Sequence, residues 1–178
     1  IVFLSDNGAT FLRRANDGGT DTVGRWFNGT MNYRGFKGDL YDGGLRVPGV
    51  VHWPGRTTVG SASSVRVDFT DLHATLVAAA GGTPSREISG RSFLPVLTGT
   101  GSFARRPYQV WYSPDRVQSA VLEGAWKGVW HRDTMQLFNL QADPGERSDV
   151  VAREPGVAAR LDSVRRLEDR RRVHPTPP

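Results

Sequence analysis

The sequence predicts an α/β fold with a small antiparallel sheet appended, and three observations carry that prediction. A short apolar run, Ile1-Val2-Phe3-Leu4, closes in Ser5-Asp6-Asn7-Gly8; a helical pattern covers residues 68–80; four short β-rich segments precede a basic terminal helix. Each element follows from residue chemistry. Ile1–Leu4 has the unbroken apolar character of a strand buried on both faces, and Asp, Asn and Gly are residues that end strands. In open parallel α/β sheets ligands bind at such carboxyl ends, which singles out this turn.

Residues 9–36 are polar and Gly-rich, too long for a simple connection, and predict an active-site rim or binding loop. A second strand is expected over Leu45–Trp53, interrupted by Pro48 near its start and closed by Pro54-Gly55. Asp68 or Thr70 supplies an N-cap for the helix, whose Leu72, Leu76, Val77 and Ala80 form one apolar stripe facing the sheet before Gly81-Gly82 stops it. The β-rich segments are Tyr108–Tyr112, Val117–Leu122, Trp126–His131 and Gln136–Leu140, with turn residues between them, the pattern of a four-stranded meander. Pro155 opens the last helix, with Val157, Leu161, Val164 and Leu167 at helical spacing and arginines opposite.

Composition narrows the classes. The chain has 178 residues, of which 38% are hydrophobic and 23% charged, enough to bury a core and too apolar for wholesale disorder. No apolar run approaches the roughly 20 residues a bilayer span requires. Cysteine is absent, which excludes a disulfide framework or a thiolate zinc site. The net charge of +5 resides mostly in residues 151–178, and a basic terminal helix without aromatic interleaving presents a solvated face, so no nucleic-acid partner is expected. Two lysines, Lys37 and Lys127, stand among 21 arginines, which raises the question of what a compact ammonium does at those positions.

Asp6 and Asn7 place a carboxylate and an amide oxygen side by side, the hard donors that Ca²⁺ or Mg²⁺ takes. Taken bare, Asp-Asn-Gly reads first as an Asx turn capping the strand. Downstream runs Arg34-Gly35-Phe36-Lys37-Gly38-Asp39-Leu40-Tyr41-Asp42-Gly43-Gly44-Leu45-Arg46-Val47-Pro48, which alone could be a flexible loop. Together the two segments resemble the sulfatase family, in which a strand ending Ser-Asp-Asn-Gly precedes Gly-x-Lys-Gly and then Glu-Gly-Gly-x-Arg-Val-Pro. The likeness continues through Trp53-Pro54-Gly55, Asp71 with Thr75-Leu76, Gly90-Arg91-Ser92-Phe93-Leu94-Pro95, and Trp126-Lys127 ahead of Leu137-Phe138-Asn139-Leu140 and Asp143-Pro144-Gly145-Glu146. Asp42 stands where Glu is usual, and His73-Ala74 replaces a common Phe-Pro.

The resemblance implies the carboxy-terminal part of an alkaline-phosphatase-like mixed sheet with flanking helices (residues 1–104), a small four-stranded antiparallel-sheet subdomain with a terminal helix (105–174), and a frayed tail (175–178). It implies metal ligands at Asp6 and Asn7 for a divalent cation, Ca²⁺ first and Mg²⁺ second, and a catalytic, sulfate-binding role for Lys37. Arg46 is expected in a structural ion pair, and His73 as a helix-surface or packed residue rather than a base. The implied reaction is hydrolysis of a sulfate ester, on a small molecule or a sulfated glycan, by a formylglycine nucleophile made from Cys or Ser in Cys/Ser-x-Pro-x-Arg. The chain has no Cys and no matching Ser, and Gly82-Thr83-Pro84-Ser85-Arg86 mimics that motif without an oxidisable first side chain, so the nucleophile and remaining ligands are expected upstream and the chain alone is expected inactive. A phosphonate monoester or phosphodiester hydrolase of the same superfamily is the rival reading, and a non-catalytic binding module the rival from another class. The family resemblance is compatible with a periplasmic or secreted protein.

Overall fold

The computed structural model describes residues 1–10, 28–85, 89–104 and 106–173. The expected loop over 9–36 and the expected tail therefore lie partly and wholly outside the described residues. The described chain forms two compact units, one from Ile1–Phe3 with Gly49–Arg106, the other from the described residues of Leu4–Pro48 and Pro107–Pro177.

In the first unit, β1 (Val2–Leu4) pairs with β2 (Gly49–Val51). Ile1 and His52 exchange both backbone hydrogen bonds, at 2.8 and 2.9 Å, the signature of an antiparallel pair. The expectation of a strand buried on both faces does not hold in this chain: Ile1 is 88% and Phe3 65% exposed, because two short strands alone cannot cover their own faces. The second strand is also shorter than Leu45–Trp53. Asp42–Leu45 instead makes a single helical turn, α1, and Pro48, which donates nothing to a ladder, delays β2 to Gly49.

Helix α2 (Phe69–Ala79) begins where Asp68 caps it: Asp68 Oδ1 accepts from Thr70 N–H at 3.0 Å, and Asp71 returns the bond by accepting from Asp68 N–H at 2.8 Å, a capping box. It ends before Gly81, whose φ of +81° favours glycine. Its buried face is not the predicted Leu stripe. Asp71, Ala74 and Thr75 are buried while Leu76 is half exposed, because polar bonds fix the rotation of the helix. Asp71 accepts from Arg106 Nη1 at 2.9 Å and from Arg91 N–H at 2.8 Å, and Thr75 Oγ1 accepts from Phe93 N–H at 3.0 Å, immediately before α3 (Leu94–Leu97).

The second unit contains the predicted meander: β3 (Gln109–Tyr112), β4 (Gln118–Glu123), β5 (Trp126–His131) and β6 (Thr134–Asn139), each antiparallel to the next. Both faces of this sheet are covered. Leu122, Lys127 and Phe138 lie in register across β4, β5 and β6, and their face packs with Leu40, Tyr41 and Leu45 of the Gly-rich segment. On the other face Val121, Trp130 and Leu137 pack on α4 (Pro155–Val173), which inserts the fully buried Leu161, flanked by Val157 and Val164. Burial of a side chain such as Leu161 contributes about 1.5–3 kcal/mol, which fixes α4 on the sheet despite its largely polar composition.

Candidate functional site

The Gly-rich segment is held on the small sheet by one buried charge cluster. Lys127, on β5, is fully buried, and its Nζ lies 2.7 Å from Asp42 Oδ1 and 2.8 Å from Glu146 Oε1. Asp42 N–H, in α1, donates to Glu146 Oε2 at 2.6 Å. Arg34 stacks 3.9 Å over the Tyr41 ring and donates to the Glu146 carbonyl at 3.0 Å, and Tyr41 donates to Gln136 Oε1 at 2.6 Å. Burial pushes the Glu146 carboxyl above its ordinary range, and the Lys127 ammonium opposes that rise. This answers the question of why position 127 is Lys: one compact charge serves two buried carboxylates from different segments.

Glycines then bring the segment against the strand-end turn. Gly8 N–H donates to Gly44 O at 3.0 Å, and Lys37 N–H donates to Ala9 O at 2.9 Å. A Cβ at Gly8 would fall 1.9 Å from the Gly43 carbonyl oxygen, and one at Gly44 2.2 Å from that of Asp39, so neither position admits a side chain without moving backbone. Gly35 and Gly38, with φ of +82° and +98°, shape the loop around Lys37.

The structure thus brings the backbone around Asp6-Asn7 and that around Lys37 together. Asp6 and Lys37 are exposed, Asn7 is half-buried, and the Asn7 amide nitrogen donates to Gly8 O at 3.0 Å. The Asp6 carboxylate has no hydrogen-bond or ion-pair partner among the described residues, and no group of three or more His, Cys, Asp or Glu there could hold a metal ion. Arg46 makes a long contact to Asp42, 3.9 Å, and sits 4.7 Å from the Tyr33 ring centroid, as expected of a structural residue; His73 is exposed on α2. Sequence reasoning did not find the Lys127–Asp42–Glu146 cluster. Its two signals were the rarity of Lys and the Asp-Pro-Gly-Glu turn carrying Glu146.

The chain's fold is that of sulfatases with the alkaline-phosphatase-like fold. A solved structure from Bacteroides thetaiotaomicron, from work on the metabolism of multiple glycosaminoglycans, matches 95% of this chain and 38% of its own with a TM-score of 0.72 and 26% identity. The chain belongs to the family described as N-sulphoglucosamine sulphohydrolase, C-terminal, whose model matches residues 36–172. Among curated relatives, human N-acetylgalactosamine-6-sulfatase is 29% identical over 180 residues, 83% of this chain and 32% of that protein. Human arylsulfatase A is 29% identical over 191 residues, 92% of this chain and 35% of that protein. The chain spans about a third of the length of these relatives.

Proposed function

We propose that the full-length protein is a sulfatase, a sulfuric ester hydrolase acting on a sulfated glycan or smaller sulfate ester, and that this chain supplies part of its metal and sulfate site. The observation that carries the reading is the pair of backbone bonds, Gly8 to Gly44 and Lys37 to Ala9, that hold the carboxylate-bearing turn beside the lysine loop.

The donor set fits a hard divalent cation, Ca²⁺ before Mg²⁺: Asp6 offers an unengaged carboxylate and Asn7 an amide oxygen. When bound, such a cation stabilises negative charge on the oxygens of the ester. Lys37 adds an ammonium, a compact charge suited to a sulfate oxygen, and the glycines on either side let the loop approach a ligand closely. The charge cluster at Lys127 holds α1 and so orders the loop without touching substrate. These residues bind and orient; none is an activated nucleophile. That role falls to a formylglycine formed from Cys or Ser, and with neither a Cys nor a Ser-x-Pro-x-Arg motif here the 178 residues by themselves are inactive.

The test is a parallel assay of an aryl sulfate and an aryl phosphonate monoester on the full-length protein and its Asp6→Ala variant. Preferential turnover of the sulfate, lost in Asp6→Ala, is expected. Preference for the phosphonate, or turnover that survives Asp6→Ala, would sink the proposal.

A further inference from the structure

A second charged cleft lies within the small-sheet unit, formed by the β3–β4 and β5–β6 hairpin ends and the last turns of α4. It measures about 220 Å³ and is lined by Tyr112, Arg116, Arg132, Arg165, Asp169 and Arg172, among others. Four guanidinium groups thus share a cleft with one carboxylate. Arg165 is spoken for, since it bonds Asp162 at 2.9 Å and Asp169 at 3.3 Å. Arg172 stacks 3.9 Å over the Tyr112 ring.

Arg116 and Arg132 are different. Neither guanidinium has an ion-pair or hydrogen-bond partner among the described residues. Both residues have left-handed backbone, with φ of +58° and +55°, a conformation that favours Gly or Asn over Arg. The Arg132 N–H donates to Val117 O at 2.7 Å, which ties the two hairpin ends together. Both side chains are exposed, so neither guanidinium is used in holding the hairpin ends together. The Tyr112 hydroxyl is buried in the cleft and faces the Asp169 carboxylate. Burial and the neighbouring Asp169 carboxylate both push its ionisation up, so it stays a protonated donor.

We infer that this cleft is an oxyanion-binding subsite, separate from the Asp6–Lys37 region, for a sulfate or phosphate group. Arginine forks match such groups in geometry and hydrogen-bond strength. Donors from two hairpin ends and a helix suit a group with three or four oxygens; a carboxylate, with two, satisfies one fork. Asp169 does not close the site to anions because Arg165 engages it.

The test is calorimetric titration of the full-length protein with inorganic sulfate, inorganic phosphate, acetate and a sulfated disaccharide. Every protein carries Asp6→Ala/Lys37→Ala to disable the metal and sulfate site proposed above, and the titration is run on that parent, on Arg116→Gly/Arg132→Gly in it, and on Arg153→Ala in it, which removes an exposed charge elsewhere in the unit. Glycine relieves the left-handed backbone at both positions, so the double variant should unfold no more easily than the parent; Arg116→Asn/Arg132→Asn is the second version should it not fold. Sulfate or phosphate affinity is expected to fall about tenfold or more in either double variant and to be unchanged in Arg153→Ala. Tighter binding of the disaccharide than of the free ions assigns the subsite to an esterified group, and the reverse assigns it to a free anion. The inference is overturned if neither inorganic ion binds the parent, if acetate binds as tightly, or if the double variants and Arg153→Ala lose affinity equally.

Discussion

The Lys127 ammonium, fully buried on a central strand of the small sheet, lies 2.7 Å from the Asp42 carboxylate in the Gly-rich segment, 85 residues earlier in the chain. With Glu146 at 2.8 Å on the same nitrogen, one cation joins the loop that carries Lys37 to the sheet that supports it. A buried ion pair is no guarantee of stability against a well-packed apolar substitute, but removal of one partner leaves charge stranded without water.

Lys127→Met is therefore expected to destabilise the second unit by about 3–5 kcal/mol, since two buried carboxylates lose their cation. Urea unfolding of the variant checks this, and a loss under about 1 kcal/mol would show the cluster to be solvated. Lys127→Met/Asp42→Asn/Glu146→Gln should recover part of the loss, because the stranded charges go with their partner.

Gly8→Ala is expected to damage the site more than an ordinary surface glycine substitution. The added Cβ would meet the Gly43 carbonyl, a backbone atom that cannot swing away, so the strand-end turn must part from the loop. Overpacking of this kind costs about 1–3 kcal/mol. Thermal unfolding together with metal titration of the full-length protein should show lower stability and weaker cation binding; an unchanged cation affinity would separate the turn from the site.

Lys37→Ala in the full-length protein is expected to lower sulfate-ester turnover by about 10²–10³ while unfolding stability changes by about 0.5 kcal/mol or less. Lys37→Arg should rescue only partly, because a planar fork replaces a point charge. Steady-state kinetics on both variants check this, and near-normal turnover in Lys37→Ala would remove the residue from the site.

The Asp71–Arg106 pair makes a pH prediction for the first unit. Burial alone would raise the Asp71 carboxyl, but hydrogen bonds from the Arg106 side chain and the Arg91 and Asp68 backbone outweigh it and hold the group below the ordinary aspartate range. The unfolded chain therefore takes up the proton first as pH falls. Stability from this pair is fully present above the unfolded pKa of about 3.9 and is lost as pH drops through the lower folded value. Arg106→Met should shrink that acid-side loss, since Asp71 then titrates nearer its unfolded range. Unfolding midpoints between about pH 2 and 6 on both proteins provide the measurement, and parallel curves would rule the pair out as the cause.

The isolated 178-residue chain should show no sulfatase turnover and only weak Ca²⁺ binding, because Asp6 and Asn7 offer a fraction of the six to eight oxygens the ion takes. Submicromolar affinity by calorimetry would place the cation elsewhere.

Local pattern determined much of this protein. Alternation and turn residues marked the four strands of the meander, because each side chain's face in a strand follows from its parity; Pro155 and the Val157–Leu161–Val164 spacing marked α4; Asp68 or Thr70 marked the start of α2, and the structure takes Asp68. Asp6, Asn7 and Lys37 stood out through the family resemblance that their motifs carry; taken bare, Asp-Asn-Gly reads as an Asx turn. Tertiary structure alone decided which face α2 buries, since Leu76 is apolar yet yields to Asp71 once Arg106 arrives from 35 residues away. It alone decided that Lys127 serves Asp42 and Glu146, and that Arg116 and Arg132 share a cleft with Tyr112. Charges and hydrogen bonds between distant segments have no period along a sequence, so their partners are fixed only when the chain has folded.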